Sequence, residues 1–367
     1  MPERRIIVGW DIGGAHVKAC LMHGGEVLDV AQWPCTLWRG LEHLDNALRA
    51  AWQRWPQLAQ GRHAVTMTGE MTDLFADRQQ GVLAIAGALG RALDGPVRHF
   101  AGDAGWRSWQ ELPAHWAAVA SANWLATAQH AARVLGTGVL VDIGSTTTDV
   151  VAFQDGRVAS ASRSDAERLA SGELVYHGAV RTPLCALGPR IAFRGQPHYV
   201  MNEFFATSAD VYRLLGELDP AHDQHPSADN AAKDAPATRR RLARMIGLDA
   251  RDATDAEWLA FARAWRARQV EVLADGLRRV MATAPFAPHG PIVSAGCGAF
   301  LVDEVAHRAL GAPGTMPRVH APPRQLAYGR DVARVAPQAT GGAQAVREWA
   351  QVCAPCVAVA ALLDAER

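Results

Sequence analysis

Apolar and polar positions alternate in two similar blocks of the chain, and each block predicts three successive strands. The first block begins with the apolar run 5–10 and the second with the run 138–141. In each block a short bend, a second run, a tight turn and a third run follow. The turns contain Gly-Gly at 24–25 and Asp-Gly at 155–156, which are typical of hairpins. The pattern therefore predicts two copies of one three-stranded unit.

The stretches around the first block have the spacing of helices and further strands. Apolar residues recur every three or four positions over residues 41–55, which predicts a helix that covers the first sheet. Residues 64–68 and 97–100 predict strands, whereas residues 71–93 and 116–135 predict helices. The second of these helices leads the chain to the second block.

The second half of the chain contains one long predicted helix. Thr254 and Glu257 form a helix-start signature, in which the hydroxyl and the carboxylate satisfy exposed amides reciprocally, and an apolar stripe follows. Residues 346–363 predict the last helix, interrupted near Pro355. The end of the long helix is predicted by three prolines, Pro285, Pro288 and Pro291.

Composition mainly excludes classes of protein. Lys+Arg and Asp+Glu both total 37, so no global field attracts nucleic acid or an anionic membrane. The six cysteines are scattered, which argues against a disulfide framework. The start lacks a secretion signal, and the apolar tail 352–363 is too short to span a bilayer. We therefore expect a cytoplasmic protein that acts on small molecules, with no nucleic-acid or membrane partner, and homo-oligomerisation is left open.

The two bends carry the candidate chemistry. Both read Asp-Ile-Gly, at residues 11–13 and 142–144. Glycine lets the backbone approach an anion, the neighbouring amides and hydroxyls can donate to phosphate oxygens, and each carboxylate can hold hydrated Mg²⁺. Because the bends occupy equivalent points of a repeat, they predict a metal-bound polyphosphate in a cleft between the two copies.

These bends resemble the phosphate loops of the actin, sugar-kinase and Hsp70 superfamily. That superfamily has a third element near the adenosine, an apolar strand leading to a glycine pair, and residues 291–301 with Gly296 and Gly298 resemble it. The resemblance implies an α/β fold of two ribonuclease-H-like lobes with an interlobe cleft. Within the superfamily the chain is more similar to the hydantoinase A and oxoprolinase group than to the sugar kinases.

The expected domain limits follow from this resemblance. The first lobe is expected over residues 1–135, and the second lobe over residues 136–335 with a substrate-facing insertion at about 165–250. A C-terminal helix is expected over residues 336–367 and can return to the first lobe. Within the insertion, residues 219–234 are rich in Asp, His, Ala and Pro, which predicts an exposed loop or a flexible flap.

Five phrases spread along the chain carry a closer resemblance. They lie at residues 68–71, 120–124, 172–176, 181–183 and 202–207. They are similar to a family of methanofuran-biosynthesis condensing enzymes, which also occurs in methylotrophic bacteria beside the tetrahydromethanopterin-linked one-carbon pathway. The resemblance implies a transferase that joins 5-(aminomethyl)-3-furanmethanol diphosphate to the phenol of γ-glutamyltyramine and releases diphosphate.

This reaction assigns roles to the bends. Asp11 and Asp142 are expected to hold Mg²⁺ directly or through water, and Asp142 is thereby also a catalytic candidate. Lys18 is either a phosphate ligand or a solvated strand residue. The residues expected to bind the diphosphate or a nucleotide are Asp11, Gly13, Gly14, Lys18, Gly144, Ser145, Thr146, Thr147, Thr148, Gly296 and Gly298.

The acceptor phenol has an ordinary pKa near ~10, so a nearby carboxylate is expected to take its proton. The candidates are Asp149, which could instead brace the loop, and Glu173 in the third phrase.

Four further residues are candidates for substrate binding. Tyr176 either stacks on a substrate ring or packs in the core. Arg181 pairs with diphosphate, with the glutamyl carboxylate or with a structural acid. Asn202 and Glu203 either line the second-substrate pocket or serve as caps and turns.

Two other readings of the sequence stay open. One is an ATP-dependent kinase or hydantoinase-like hydrolase subunit, and the other is a noncatalytic actin-like nucleotide-binding module. ATP is expected as a ligand only under these readings. The Cys353-Ala-Pro-Cys356 spacing is typical of zinc or redox sites, but its apolar surroundings favour two buried thiols.

Overall fold

The computed structural model describes residues 6–284, 290–311 and 323–366. Its strands are β1 (Ile6–Ile12), β2 (His16–His23), β3 (Glu26–Pro34), β4 (Arg62–Met67), β5 (Val97–Phe100), β6 (Trp106–Arg107), β7 (Gly138–Ile143), β8 (Thr148–Gln154), β9 (Arg157–Val158), β10 (Leu174–Val175), β11 (Arg190–Phe193), β12 (Gln196–Tyr199), β13 (Ile292–Ala295) and β14 (Gln325–Ala327). Its helices are α1 (Glu42–Arg54), α2 (Arg78–Ala92), α3 (Leu112–Val119), α4 (Asn123–Leu135), α5 (Asp165–Ser171), α6 (Ser208–Leu215), α7 (Ala235–Arg244), α8 (Asp255–Thr283), α9 (Val302–Leu310), α10 (Ala343–Val352) and α11 (Ala354–Asp364). Arg5 and two prolines of the predicted helix end, Pro285 and Pro288, lie outside the described residues.

The first sheet has the strand order β3-β2-β1-β4-β5-β6. β1 pairs antiparallel with β2 and parallel with β4, and β2 pairs antiparallel with β3. The turn between β2 and β3 has positive φ angles of 59° and 79° at Gly24 and Gly25, which glycine adopts without strain. The predicted hairpin is therefore confirmed.

The second sheet repeats this order as β10-β8-β7-β13-β14, with β9 also paired to β8. β13 runs parallel to β7, as β4 runs parallel to β1. Two short strands occupy the position that β3 has in the first sheet, since β9 pairs with the end of β8 and β10 pairs with its start. The repeat confirms the α/β fold built from two ribonuclease-H-like copies.

The chain folds into two compact units, one around each sheet. Unit 1 contains Met1–Gly138, Phe153–Ser160 and Leu326–Arg367, and unit 2 contains Val139–Ala152 and Ala161–Gln325. The limits expected from the sequence, 135 and 335, differ from these. The chain returns to unit 1 before its last helices because backbone hydrogen bonds join Val27 in β3 to Arg334 and Ala336.

The helix predicted over residues 116–135 is two helices, α3 and α4. Ser121 lies between them with a φ of +49°, a left-handed conformation that ends a helix. The residue is nevertheless buried. At this break between the two helices, the Ser121 hydroxyl lies inside unit 1.

α11 lies centrally in unit 1. It packs on β1, β4 and α4, and its residues from Ala354 to Ala360 are all buried. Near Gly9 in β1 the helix is so close that a Cβ on Gly9 would lie 1.9 Å from the carbonyl oxygen of Cys356. The packing of this helix on the central strand therefore requires glycine at position 9.

The last helix, predicted over residues 346–363, is divided into α10 and α11, which are bent by 102°. Pro355 lies in the first turn of α11, where its missing amide hydrogen has no helical partner to lose. In the described part of the chain, no single helix is long and apolar enough to cross a membrane, although the bent pair α10 and α11 meets that test together by length and composition.

The core of unit 2 is built on α8, which begins as predicted. The Thr254 hydroxyl accepts from the Glu257 amide at 3.3 Å, and the Glu257 carboxylate accepts from the Thr254 amide at 2.8 Å. The side chains of Trp258, Phe261 and Trp265 are buried along one stripe of the helix. The apolar pattern therefore identified this helix and its buried face correctly.

Residues 219–234 form a largely exposed loop, which confirms the first of the two predicted alternatives, and ion pairs hold this loop against its neighbours. Asp223 pairs with Arg213 of α6 at 2.5 Å. Asp229 pairs with the fully buried Arg241 of α7 at 3.1 Å. The acids of the segment bind bases on two helices, and composition alone does not reveal such partners.

Two histidines of unit 1, the buried His99 and the half-buried His130, have strongly lowered pKa values. Burial lowers the pKa of His99 and of His130 to about 4, because a buried imidazolium loses its hydration. The His130 Nδ1 atom lies 2.7 Å from the hydroxyl of Tyr328. Both rings are therefore neutral in the folded protein at neutral pH.

The close approach of α11 to β1 predicts a large effect of Gly9→Ala. The added methyl group meets backbone, which cannot rotate away, so we expect a loss of about 3 kcal/mol or more of stability. Gly90→Ala in α2 is the matched control, since nothing lies within 4 Å of that position, and it should stabilise the protein by about 0.5 to 1 kcal/mol. Thermal denaturation followed by circular dichroism measures both changes, and equal melting temperatures for the two variants would contradict the packing described.

The neutral histidines predict loss of stability in acid. Because the folded pKa of His130 lies below the ordinary value of 6.5, the unfolded chain binds more protons as the pH falls from 6.5 to 4. The shift corresponds to about 3 kcal/mol for this group. His130→Gln keeps a polar partner for Tyr328 and removes the titration, so urea denaturation between pH 7 and pH 4 should show a shallower decline than in the wild type. An unchanged slope would argue against this origin.

Candidate functional site

The two Asp-Ile-Gly bends close in the same way. In the first bend the Gly13 amide donates to the carbonyl of His16 at 2.9 Å, and in the second the Gly144 amide donates to the carbonyl of Thr147 at 2.9 Å. Each turn thus uses the amide of its glycine and the carbonyl three residues later. The amides in between are not needed to close it.

The neighbouring parallel strand meets each bend at the same point. The carbonyl of Ile12 accepts from the Thr68 amide at 3.0 Å, and the carbonyl of Ile143 accepts from the Gly298 amide at 2.8 Å. Gly296 has a φ of +82°, and a Cβ there would lie 2.2 Å from the Ile143 oxygen. The predicted glycine pair therefore contacts the second bend, and the phrase at 68–71 is its counterpart in unit 1. The sequence did not reveal this equivalence, because the two phrases share no residue pattern beyond glycine.

The second bend offers a row of donors. Among the described residues the amides of Ser145, Thr146 and Thr147 donate no hydrogen bond, and all three residues are partly exposed. The Ser145 carbonyl accepts from the amides of Val180 (3.1 Å) and Arg181 (2.8 Å), which anchors the bend on its acceptor side. Successive open amides with adjacent hydroxyls form a concavity that suits an anion.

Gly178 packs closely against the second bend. A Cβ on this residue would lie 2.4 Å from the peptide atoms at 145–146. Its carbonyl accepts from the hydroxyls of Thr182 (3.1 Å) and Ser208 (2.9 Å) and from the side-chain amide of Gln269 (2.8 Å). The Tyr212 hydroxyl in turn donates to Gln269 at 2.7 Å. Sequence reasoning missed this buried network, because no motif connects residues so distant in the chain.

Arg181 lies beside the second bend. Its Nη1 donates to the hydroxyl of Thr146 at 3.5 Å, and burial lowers the pKa of the guanidinium. The neighbouring candidate Tyr176 is 61% exposed, so the alternative of a core aromatic is wrong. Both predicted substrate residues of this segment therefore lie within reach of solvent, near the open amides.

Asp142 and Thr148 flank the second bend on buried strands. The Asp142 side chain is buried, and its Oδ1 would lie 2.5 Å from a Cβ on Gly296. The hydroxyl of the buried Thr148 donates to the carbonyl of His177 at 2.7 Å. Thr148 therefore holds the chain at His177 against the bend, a structural role that is separate from the predicted role in phosphate binding.

The two predicted proton acceptors have internal partners. Asp149 accepts from the buried guanidinium of Arg168 at 2.7 Å, which is the bracing arrangement considered from the sequence. Glu173 accepts from the hydroxyl of Ser171 at 2.9 Å. The carboxylates are close in the sheet, since Leu174 pairs with Asp149, but both are engaged in holding β8, α5 and β10 together.

The phrases at 181–183 and 202–207 meet in unit 2. Pro183 and Thr207 form an isolated bridge. Asn202 and Glu203 are exposed in the segment just before it. Asp210 is instead buried, where it caps α6 through the Thr207 amide at 3.1 Å. Exposure keeps the substrate-binding prediction open for Asn202 and Glu203, whereas Asp210 has a structural role.

At the first bend, two of the predicted ligands form an ion pair with each other. Asp11 is buried in β1 opposite Lys18 of β2, and the Lys18 ammonium lies 3.6 Å from its carboxylate. Lys18 is thus an ion-pair partner and not a solvated strand residue. A Cβ on Gly14 would lie 2.7 Å from the side chain of Thr72, so the bend packs against the chain that follows the phrase at 68–71.

Two phrases of unit 1 meet in a buried polar cluster. Glu70 accepts from the Ser121 hydroxyl at 2.8 Å and from Arg78 at 3.3 Å. Burial raises the pKa of Glu70, and the hydrogen bond from Ser121 opposes this. A Cβ on Gly81 would lie 2.5 Å from the Glu70 carbonyl, so α2 closes over the cluster. The two phrases were identified in the sequence, but their contact was not.

The cysteine pair near the C-terminus is buried. Cys353 and Cys356 are fully enclosed, and burial raises the pKa of Cys356 well above its ordinary range. Across residues 6–284, 290–311 and 323–366, no group of three or more His, Cys, Asp or Glu side chains is arranged to hold a metal ion. The described geometry therefore agrees with the interpretation of two buried thiols.

Known proteins resemble this chain at three levels. A family model described as Hydantoinase/oxoprolinase matches residues 62–339. The (4-{4-[2-(gamma-L-glutamylamino)ethyl]phenoxymethyl}furan-2-yl)methanamine synthase of Methanocaldococcus jannaschii is 29% identical over 274 residues, which are 74% of this chain and 81% of that protein. The synthase of the same name from Methanococcus vannielii is 29% identical over 142 residues, which are 39% of this chain and 64% of that protein.

The fold also has a counterpart among solved structures. The nucleotide-free structure of acetone carboxylase, from a study of ATP-dependent acetone carboxylation, aligns with a TM-score of 0.51 and 13% identity. The alignment covers 85% of this chain and 67% of that chain. This likeness shows the fold alone, whereas the family model spans most of the sequence. The chain belongs to the hydantoinase/oxoprolinase family.

Proposed function

We propose that this protein is a biosynthetic transferase that condenses 5-(aminomethyl)-3-furanmethanol diphosphate with γ-glutamyltyramine, forms an aryl ether and releases diphosphate. The two relatives are named for a product in which a glutamylaminoethyl-phenoxy group is joined through a methylene to a furan that carries a methanamine. The family membership and these names support a condensing enzyme. The donor and the leaving group are part of the proposal.

The second bend carries the proposal. Ser145, Thr146 and Thr147 present amides and hydroxyls that can donate to phosphate oxygens. Arg181 adds a positive charge beside Thr146. Burial lowers the pKa of this guanidinium and Tyr176 opposes the shift, so a bound polyanion would offset the lost hydration and be held by charge-assisted hydrogen bonds.

The reaction needs such an anion site. As the bond between the furfuryl carbon and the diphosphate oxygen breaks, positive charge spreads onto the furan ring and negative charge gathers on the leaving group. Donors that are already fixed in place stabilise that developing charge without reorganising. Gly144 and Gly178 fix them here, the first by closing the turn and the second by packing beneath it.

The oxygen donors at the second bend fit Mg²⁺, which binds one or two carboxylates together with substrate phosphates and water. We propose that Asp142 would hold the ion, with Asp11 as the corresponding ligand of the first bend. Asp142 is the stronger candidate, because it precedes the bend whose amides at Ser145, Thr146 and Thr147 are open. When bound, the ion would neutralise charge on the leaving diphosphate.

One observation favours a second candidate function, an ATP-dependent activity. Gly296 and Gly298 contact the carbonyl of Ile143, which is where the superfamily resemblance implies an adenosine-side element. A nucleotide at the second bend would use the same donors. The two functions differ in whether turnover requires ATP.

The proposed reaction predicts product formation without ATP. Purified protein with Mg²⁺, the furanyl diphosphate and γ-glutamyltyramine should yield ether and diphosphate in equal amounts, measured by mass spectrometry and an enzyme-coupled diphosphate assay. Asp142→Ala should remove turnover, because the carboxylate serves the leaving group, and circular dichroism of the purified variant checks that it is folded.

The same assay with ATP separates the alternatives. Absence of ether, together with ATP hydrolysis that depends on either substrate, would replace the transferase by the ATP-dependent function. A folded Asp142→Ala variant with full turnover would contradict the role of that carboxylate.

The anion site predicts weaker diphosphate binding in Arg181→Gln. Loss of a charge-assisted hydrogen bond costs about 1.5 to 3 kcal/mol, so we expect roughly a 10-fold to 100-fold higher Kd for inorganic diphosphate with Mg²⁺ by titration calorimetry. Arg251→Gln is the matched control, because that side chain is 84% exposed and pairs with Asp249. If Arg181→Gln binds diphosphate normally and raises only the KM of γ-glutamyltyramine, Arg181 serves the glutamyl carboxylate instead.

A further inference from the structure

We propose that His177 is the catalytic residue that accepts the proton of the acceptor phenol. The inference rests on the proposed transferase function and adds the base that this function requires. It arises because the backbone of His177 is anchored at the second bend and its ring has no hydrogen-bond partner among the described residues, whereas Asp149 and Glu173 have internal partners.

The backbone at and after His177 is tied to the second bend. Its carbonyl accepts from the Thr148 hydroxyl at 2.7 Å. The next residue, Gly178, packs against the peptide of Ser145 and Thr146, since a Cβ would lie 2.4 Å from its atoms. The imidazole is therefore carried by a segment whose position is fixed relative to the open amides.

The ring of His177 has no internal task. It is half-buried, and among the described residues neither ring nitrogen takes part in a hydrogen bond. Nδ1 is the enclosed nitrogen, which leaves Nε2 to meet a substrate. The preceding residue, Tyr176, is largely exposed, so its ring is available to stack on an aromatic acceptor.

The surroundings keep the imidazole neutral. Burial lowers the pKa of His177 first, and the positive charge of Arg268 on α8 lowers it further. Residues 176–181, the segment that carries His177, contain two further titratable side chains, Tyr176 and Arg181. A neutral ring at neutral pH is the form that can take a proton. Asp149, in contrast, is bound to the buried Arg168.

The proposed step is balanced in atoms and charge. An electron pair of the phenol oxygen forms the new bond to the furfuryl carbon, and the phenolic proton passes to a ring nitrogen of His177. The bond from that carbon to the diphosphate oxygen breaks, and its electron pair leaves with the diphosphate. The imidazolium that results returns its proton to water before the next turnover.

The first test compares two histidines of unit 2. His177→Gln should lower kcat by 10²-fold to 10⁴-fold, the usual range for loss of a general base, while the Kd of inorganic diphosphate with Mg²⁺ stays within twofold. His198→Gln, a substitution of the histidine on β12, should leave kcat unchanged. Added imidazole should restore part of the activity of His177→Ala, which a merely structural role would not allow.

The second test uses pH. The wild-type kcat should rise with pH along an acid limb with an apparent pKa below the ordinary histidine value. Arg268→Gln removes the positive charge that lowers the pKa of His177 and should move this limb to higher pH. His177→Gln should have no such limb.

The outcomes separate this inference from the function on which it rests. If the wild-type protein makes no ether, the transferase proposal fails. If the wild type makes ether and folded His177→Gln has normal kcat with the same acid limb, the transferase stands and His177 is not its base. Loss of diphosphate binding in His177→Gln, without rescue of His177→Ala by imidazole, would make His177 a structural residue of the bend and overturn the inference.

Discussion

The structure of the site depends on one hydrogen bond of 2.9 Å, from the amide of Gly144 to the carbonyl of Thr147. This bond closes the turn after the buried strand β7, and the amides of Ser145, Thr146 and Thr147 take no part in closing it. A sheet satisfies almost every buried amide with a partner, and a strand end is one of the few places where a run of donors can stay open. Gly178 and the glycines at 296 and 298 then pack against the turn so closely that side chains would displace it.

The two copies of the fold use this turn differently. The first copy keeps the closing bond at Gly13, but its surroundings contain the Asp11–Lys18 ion pair and the buried Glu70 with Ser121. In the second copy Gly296 and Gly298 occupy the place of the phrase at 68–71, and the amides of Ser145, Thr146 and Thr147 stay open. Both copies therefore contain internal ion pairs, and the second copy in addition presents the open amides of its bend to a ligand.

The sequence predicted the fold well because strands, turns and helices have local patterns. The Asp-Ile-Gly bends, the hairpin glycines and the capping pair Thr254 and Glu257 each form structure with residues only a few positions away in the sequence. It predicted the site less completely. The Glu70–Ser121 contact and the support of Gly178 by Gln269 join residues far apart in the chain, and the partners of Asp149 depend on tertiary structure. The ion pairs that fix residues 219–234 were missed for the same reason, since composition records charges but not their partners.

Electrostatics also favours histidine over a carboxylate as the base near a polyanion. A carboxylate beside diphosphate would be repelled by it, and the repulsion would raise its pKa while weakening binding of the leaving group. A neutral imidazole adds no negative charge to the site before reaction. Once it has taken the phenolic proton it becomes a cation, at the moment when the diphosphate gains charge, so one group serves both the forming and the breaking bond. The fixed position of His177 beside the bend makes this coupling available without movement of the backbone.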